Sequence, residues 1–188
     1  EVAAASTSCG SGNTSGFSMD IDSDGNLYIS DACDHRIHKF SPSGFNANGD
    51  FELGQQIGWL GFCESSTNKA CDTANQRSKG YACTNATCPA SAPRATDGSQ
   101  PGQFGGVSHL VVGPEDILYV ADYGNSRIQR FSADGTFVGQ AISTGTGVNQ
   151  GDQPGFVLGN FGRARTVSVN REHFFVVDSD EELVHLFA

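Results

Sequence analysis

The sequence predicts an all-β protein, and three observations support this class. Glycine supplies 24 of the 188 residues and phenylalanine supplies 13, which suits tight turns and strands respectively. Strong helix formers are scarce, with 8 leucines, 3 lysines and 1 methionine. In addition, one strand–turn–strand pattern recurs three times along the chain. These copies determine where each strand is expected.

Each copy of the repeat consists of an apolar run, an aspartate, a polar turn and an alternating run that ends in phenylalanine. The copies align without gaps at residues 27–40, 118–131 and 174–187. Another apolar strand precedes each copy, at 17–21, 107–112 and 166–169, and turns at 41–45 and 132–137 lead into a fourth strand. Four antiparallel strands that recur every ~40–45 residues form the blade of a β-propeller. A β-sandwich or jelly roll with accidental similarity is the alternative.

The second copy resembles the NHL-repeat family. It carries Leu118-Tyr119-Val120-Ala121-Asp122, then Asn125-Ser126-Arg127-Ile128 before Phe131, then Gly135-Thr136-Phe137. The first copy has Asp34 where the family has asparagine, and the third has Leu183 in the place of Arg127. The resemblance implies an NHL-type β-propeller, a fold that serves mainly as a binding platform and in a few cases as an enzyme.

We expect a single propeller segment over residues 1–188. Its parts are blade one at about 17–60, a cysteine-rich insertion at about 61–103, blade two at about 104–145 and blade three at about 160–188. Closed propellers need ~4–8 blades, whereas three four-stranded blades are found here. The expected structure is therefore an incomplete arc, most simply of a six-bladed propeller. The remaining blades would come from the same chain or from another.

Six cysteines predict three disulfides and hence an extracellular, cell-surface or periplasmic protein. They are Cys9, Cys33, Cys63, Cys71, Cys83 and Cys88. We label the strands of a blade A to D from the inside outwards. All six cysteines then fall on the rim formed by the B–C turns and the D–A links, here called the BC rim. The favoured pairing is Cys9–Cys33 with Cys63–Cys71 and Cys83–Cys88; the alternative for the insertion is Cys63–Cys83 with Cys71–Cys88.

The net charge of −10 argues against a nucleic-acid partner, because phosphate contacts need clustered Lys and Arg. No apolar run approaches the ~18 residues of a membrane helix, so no membrane insertion is expected. A protein or glycan partner fits better, since long insertions on rigid scaffolds often carry recognition.

One candidate metal site lies in the first A–B turn. Asp20, Asp22 and Asp24 alternate before Gly25, as oxygen ligands do at the start of a calcium loop. A plain Asp-Gly hairpin turn explains the same residues. Calcium is therefore a possible ligand here, and no other cofactor is expected.

Several polar residues recur at equivalent positions. The aspartates are Asp31, Asp122 and Asp178, and Arg36, Arg127 and Asn125 follow them in the B–C turns or strands C. Recurrence in every blade favours a structural role in bonding the turns over a catalytic one. His38 and His185 likewise align with Gln129, which favours a position in the strand.

We therefore expect a binding or scaffold module and not an enzyme. Catalytic motifs such as H-E-x-x-H or G-x-S-x-G do not occur. One alternative is a metal-dependent lyase or lactonase-like enzyme with a site in the central channel. Another is a self-assembly element that completes the propeller with a second chain.

Overall fold

A computed structural model describes residues 17–33, 35–52, 54, 56–61, 83–84, 98–99, 101–142, 155–157 and 162–187. Within these ranges the chain forms β-sheets and two short 3₁₀ turns, at Pro114–Asp116 and Tyr123–Asn125. No helix in the described part is long and apolar enough to cross a membrane. The all-β prediction is confirmed.

The first sheet is built around an antiparallel meander. Its order is β1-β2-β3-β6-β7, with a separate hairpin of β4 and β5 between strands C and D. The bounds are β1 Met19–Ile21, β2 Leu27–Asp31, β3 Arg36–Phe40, β4 Gly44–Phe45, β5 Phe51–Glu52, β6 Gln56–Leu60 and β7 Cys83–Thr84. The fourth strand is thus β6. The predicted insertion sends β7 back to the outer edge of this blade, antiparallel to β6.

The second sheet repeats the meander in the order β8-β9-β10-β11, and β12 lies parallel to β11 at its outer edge. The third sheet has the order β13-β14-β15. The bounds are β8 Val107–Val112, β9 Leu118–Asp122, β10 Arg127–Phe131, β11 Phe137–Ile142, β12 Gly155–Val157, β13 Ala164–Val169, β14 Phe174–Asp178 and β15 Leu183–Phe187.

The middle sheet is buried on both faces because its strands alternate between two cores. On β9, Leu118 and Val120 belong to the core shared with the first sheet, whereas Ala121 and the partly buried Tyr119 belong to the core shared with the third. The first core also contains Tyr28, Ile37, Leu60, Phe104, Val107, Leu110 and Phe131, and the second contains Ile128, Ala164, Val167, Phe174 and Val176. A sheet sandwiched in this way is a propeller blade.

The inner strands also hydrogen-bond from blade to blade. The Ser18 hydroxyl donates to the Leu110 carbonyl at 3.1 Å and accepts from the Leu110 N–H at 3.2 Å. One blade further on, the Ser108 hydroxyl lies 2.8 Å from the Arg165 carbonyl, to which it donates. These bonds join Ser18, the residue before β1, to β8, and they join β8 to β13, so the three inner strands lie side by side.

Candidate functional site on the BC rim

The three B–C turns share one local conformation. Each ends in a non-glycine residue in the left-handed region: His35 with φ 52°, Ser126 with φ 50° and Glu182 with φ 54°. Each of these residues stands four positions after the repeated aspartate. The turn therefore brings the side chains that follow it on strand C back towards the aspartate at the end of strand B.

In blade two this geometry produces a largely buried polar network around Asp122. Arg127 is 1% exposed, and its Nε donates to Asp122 Oδ2 at 2.8 Å. Gln129 Nε2 donates to the same oxygen at 3.1 Å, and Asn125 Nδ2 does so at 2.9 Å. The other carboxylate oxygen accepts from the Gly105 N–H at 2.8 Å. The carboxylate is thus paired with a guanidinium and accepts hydrogen bonds on both oxygens.

The same network clamps the D–A link that leads into blade two. Arg127 donates to the carbonyls of Ser99, at 2.6 Å, and Gln103, at 2.8 Å. Asn125 Nδ2 donates to the Gly98 carbonyl at 2.7 Å. The end of the predicted insertion is therefore held on the rim by side chains of the adjacent B–C turn and strand.

In blade one the equivalent group contains a histidine. Arg36 Nε lies 3.9 Å from Asp31 Oδ2, and His38 Nε2 lies 3.6 Å from the same oxygen. Asp31 is completely buried and Arg36 nearly so. Because His38 occupies the position of Gln129, the strand-C polar residue contributes to the network in both blades.

Blade three keeps the aspartate and changes its surroundings. Leu183 pairs in register with Asp178, as Arg127 pairs with Asp122. His185 Nε2 lies 3.5 Å from Asp178 Oδ2 and 3.8 Å from Glu181 Oε2. Among the residues that the structure describes, these three form the one His/Asp/Glu group with ligand atoms all within 4.8 Å of one another. The sequence did not single out Glu181, which is equivalent to Asp34 in the first copy and to Asn125 in the second.

The structure does not bring Asp20, Asp22 and Asp24 together as a ligand group. Asp20 Oδ2 accepts from the Val112 N–H of blade two at 2.8 Å. Asp22 is buried and accepts from the backbone of Asp24 and Asn26 inside its own turn. Burial raises the pKa of Asp22, but bonds from Asn26 and Tyr28 with the nearby Lys39 outweigh it, so the net pKa is lowered. The observed bonding is that of a hairpin turn.

Among the six cysteines, Cys33 is the one whose side chain the structure describes. It is buried and disulfide-bonded. The sulfur to which it is joined lies outside the described side chains. Cys9, Cys63, Cys71 and Cys88 also lie outside the described residues, and Cys83 is described only as part of β7. The proposed pairings therefore stay predictions.

An open cleft of about 840 Å³ lies on the opposite rim, between the turns of blades two and three. Its polar lining includes Glu115, Arg130, Asn170 and Arg171. Glu115 and Asp116 both have left-handed backbones, with φ of 60° and 55°, because the A–B turn of blade two is a tight hairpin. This turn places Asp116 against blade one, where it accepts from the Ser23 N–H at 2.9 Å.

Comparison with known proteins agrees with this architecture. The sequence model of the NHL repeat matches residues 104–131. An auxiliary nutrient binding protein from Bacteroides ovatus has a similar structure, with a TM-score of 0.50 and 15% identity over 95% of this chain and 38% of its own. An auxiliary nutrient binding protein from Bacteroides thetaiotaomicron has a TM-score of 0.49 and 15% identity, over 92% of this chain and 37% of its own.

Virginiamycin B lyase from Staphylococcus aureus is also similar, with a TM-score of 0.38 and 11% identity, over 90% of this chain and 39% of its own. No curated protein matches the sequence with significance. The chain thus spans 37–39% of the length of these three solved structures. The middle sheet packs between the other two, and residues 104–131 match the NHL repeat, so the described part of this chain is a β-propeller segment that contains an NHL repeat.

Proposed function

We propose that the chain is an extracytoplasmic binding or scaffold module whose BC rim presents the cysteine-rich insertion to a protein or glycan partner. The observation that carries the proposal is the clamp on the end of that insertion. Arg127 is buried and bonded to the carbonyls of Ser99 and Gln103. These contacts fix the end of the insertion at residues 98–103, and a fixed end lowers the entropic cost of recognition. The disulfide at Cys33 supports an oxidising compartment.

The contacts made by the side chains of the inner strands favour a binding module over a metal-dependent enzyme. A metal in the central channel would need several His, Asp or Glu ligands that converge from different blades. Within the described strands β1, β8 and β13 such side chains are Asp20 and His109. Asp20 already accepts the Val112 N–H, and His109 interacts with the backbone of Val167 in the next blade. Both groups therefore serve contacts between blades.

The test is a binding screen that keeps all six cysteines. The purified chain is assayed on a glycan array and on a panel of extracellular protein domains. A variant with Lys69, Arg77, Lys79 and Arg94 changed to Gln is assayed beside it, with R165Q/R171Q as the control on exposed blade residues. We expect a ligand whose affinity falls at least about tenfold in the insertion variant only. Equal binding by all three proteins, or no ligand in either panel, would contradict the proposal.

A second candidate function, self-assembly with another copy of the chain, is favoured by the two open blade faces. Met19, 65% exposed, occupies the position at which Leu110 is covered by blade one. Val184, also 65% exposed, occupies the position at which Ile128 is covered by blade three. The two open faces are thus the two halves of the interface that already joins the blades, and two copies could close six blades.

Native mass spectrometry tests this candidate. The self-assembly interpretation expects twice the chain mass of 19.8 kDa, and it expects Val184→Asp to return the protein to the monomer. Thr136→Asp, on a partly buried turn residue away from both open faces, serves as the control. A wild-type monomer at micromolar concentration would remove self-assembly from consideration and leave the binding proposal intact.

A further inference from the structure

The third blade retains a buried carboxylate and lacks the arginine that faces it in the other two. Asp178 is 0% exposed, as Asp122 is in blade two. In blade two Arg127 Nε lies 2.8 Å from the aspartate, whereas Leu183 holds the equivalent place in blade three. A buried carboxylate is costly unless a cation or several hydrogen bonds compensate it. The third blade therefore has to balance this charge by other means.

Hydrogen bonds keep the Asp178 carboxylate ionised. Burial raises the pKa of Asp178, but hydrogen bonds from the N–H groups of Gly162, Asp180 and Glu181, together with the nearby His185, lower it by more. The net pKa therefore lies below the ordinary value. Oδ1 accepts from Asp180 at 2.8 Å and from Glu181 at 3.2 Å, and Oδ2 accepts from Gly162. A carboxylate oxygen has two acceptor positions. Oδ2 therefore retains one, and His185 Nε2 lies 3.5 Å from this oxygen.

The spacing of the three side chains suits a metal ion. The separations are 3.5 Å between His185 Nε2 and Asp178 Oδ2, and 3.8 Å between His185 Nε2 and Glu181 Oε2. In a tetrahedral zinc site with bonds of ~2.0–2.1 Å, neighbouring ligand atoms lie roughly 3.4 Å apart. All three ligand atoms lie within 4.8 Å of one another, so a change in the side-chain torsions of the half-exposed Glu181 would bring both carboxylates and the imidazole into coordination. Glu181 is 51% exposed, which leaves an open side for water as the fourth ligand.

We propose that Asp178, Glu181 and His185 bind one divalent transition-metal ion, with Zn²⁺ as the best fit. Imidazole with two carboxylates is a borderline ligand set that favours Zn²⁺ over Ca²⁺, which takes six to eight oxygens. The ion supplies the positive charge that Arg127 supplies in blade two. It ties the B–C turn to strand C at the rim, away from the inner strands and from the turn of Asp20, Asp22 and Asp24.

Calorimetric titration of the oxidised, EDTA-treated chain with ZnCl₂ tests the site. We expect one ion per chain and much weaker binding of CaCl₂ in a parallel titration. Glu181→Gln and His185→Gln should each weaken Zn²⁺ binding at least about tenfold, since each removes a ligand. His38→Gln is the matched control, because His38 has the same repeat position in a blade that retains Arg36.

A fourth variant restores the repeat. Leu183→Arg should place a guanidinium beside Asp178 and reduce Zn²⁺ affinity at least about tenfold, while leaving the metal-free melting temperature unchanged or higher. No Zn²⁺ binding by the wild-type chain would overturn the proposal. Binding that survives both Glu181→Gln and His185→Gln, or that survives Leu183→Arg, would also overturn it, because the ion would then lie elsewhere.

Discussion

Replacing Arg127 by methionine should destabilise the chain by about 4 kcal/mol. The arginine is 1% exposed and donates to four groups: Asp122 Oδ2 at 2.8 Å, the Ser99 carbonyl at 2.6 Å, Gln140 Oε1 at 3.0 Å and the Gln103 carbonyl at 2.8 Å. Methionine preserves much of the volume and removes every donor. Breaking one side of a buried ion pair costs ~3–5 kcal/mol, a large part of the ~5–15 kcal/mol that stabilises a typical domain.

Guanidinium chloride unfolding followed by far-ultraviolet circular dichroism measures the loss. Arg165→Met, at an exposed position, is the control and should stay within ~0.5 kcal/mol of wild type. The double variant Asp122→Asn/Arg127→Met should recover part of the loss, because the uncompensated charge is then gone while an amide oxygen remains to accept from Gly105. A loss of less than ~1 kcal/mol in Arg127→Met would show that the buried network does not anchor the D–A link.

Three further substitutions test the contacts between and within blades by the same unfolding assay. Burial lowers the pKa of His109 below 6.5 despite the nearby Asp20. The neutral imidazole therefore contributes fully to the free energy of unfolding above pH 6.5, and this contribution is lost as the pH falls through the folded pKa. His109→Gln should flatten the decline between pH 7 and 5, where one proton contributes at most ~1.4 kcal/mol per pH unit. Gly124→Ala should cost ~1–3 kcal/mol, since its Cβ would lie 2.4 Å from the Gly105 carbonyl oxygen, and an unchanged midpoint would refute that close approach. Ser18→Ala should cost ~1–2 kcal/mol through two lost bonds between inner strands, and a neutral effect would show that water replaces them.

The strand arrangement was predictable because it depends on local patterns. Apolar runs, the recurring aspartate and the Gly-containing turns placed strands A to C of every blade, and antiparallel pairing followed from the short turns. The β4–β5 hairpin and the edge strands β7 and β12 were not predicted. Strands β7 and β12 pair with the outer strands β6 and β11 because they reach an unpaired sheet edge. No local periodicity in the sequence shows which segment will do so.

The site was predictable only in part, for a related reason. The prediction that Asp122 bonds its own B–C turn accounts for Asn125 and Arg127. It does not account for the D–A link, because the acceptors there are backbone carbonyls of Ser99 and Gln103, 28 and 24 residues before Arg127. Every residue has a backbone carbonyl, so the sequence does not show which carbonyls accept hydrogen bonds from Arg127. Gln129, completely buried in the same network, was noted only as an alignment partner of two histidines.

Departures from the repeat are therefore more informative about function than the repeated residues. Arg36 and Arg127 recur because each blade has a buried aspartate to neutralise, and a role needed in every blade is structural. Leu183 breaks the pattern in the one described blade where a glutamate and a histidine approach the same aspartate. A simple loss of the arginine would remove the ion-pair partner and leave the carboxylate to the N–H groups of Gly162, Asp180 and Glu181, at some cost in stability. The combination of a missing arginine with Glu181 and His185 is what replacement of a guanidinium by a metal ion would produce. The Leu183→Arg variant tests which of these two explanations is correct.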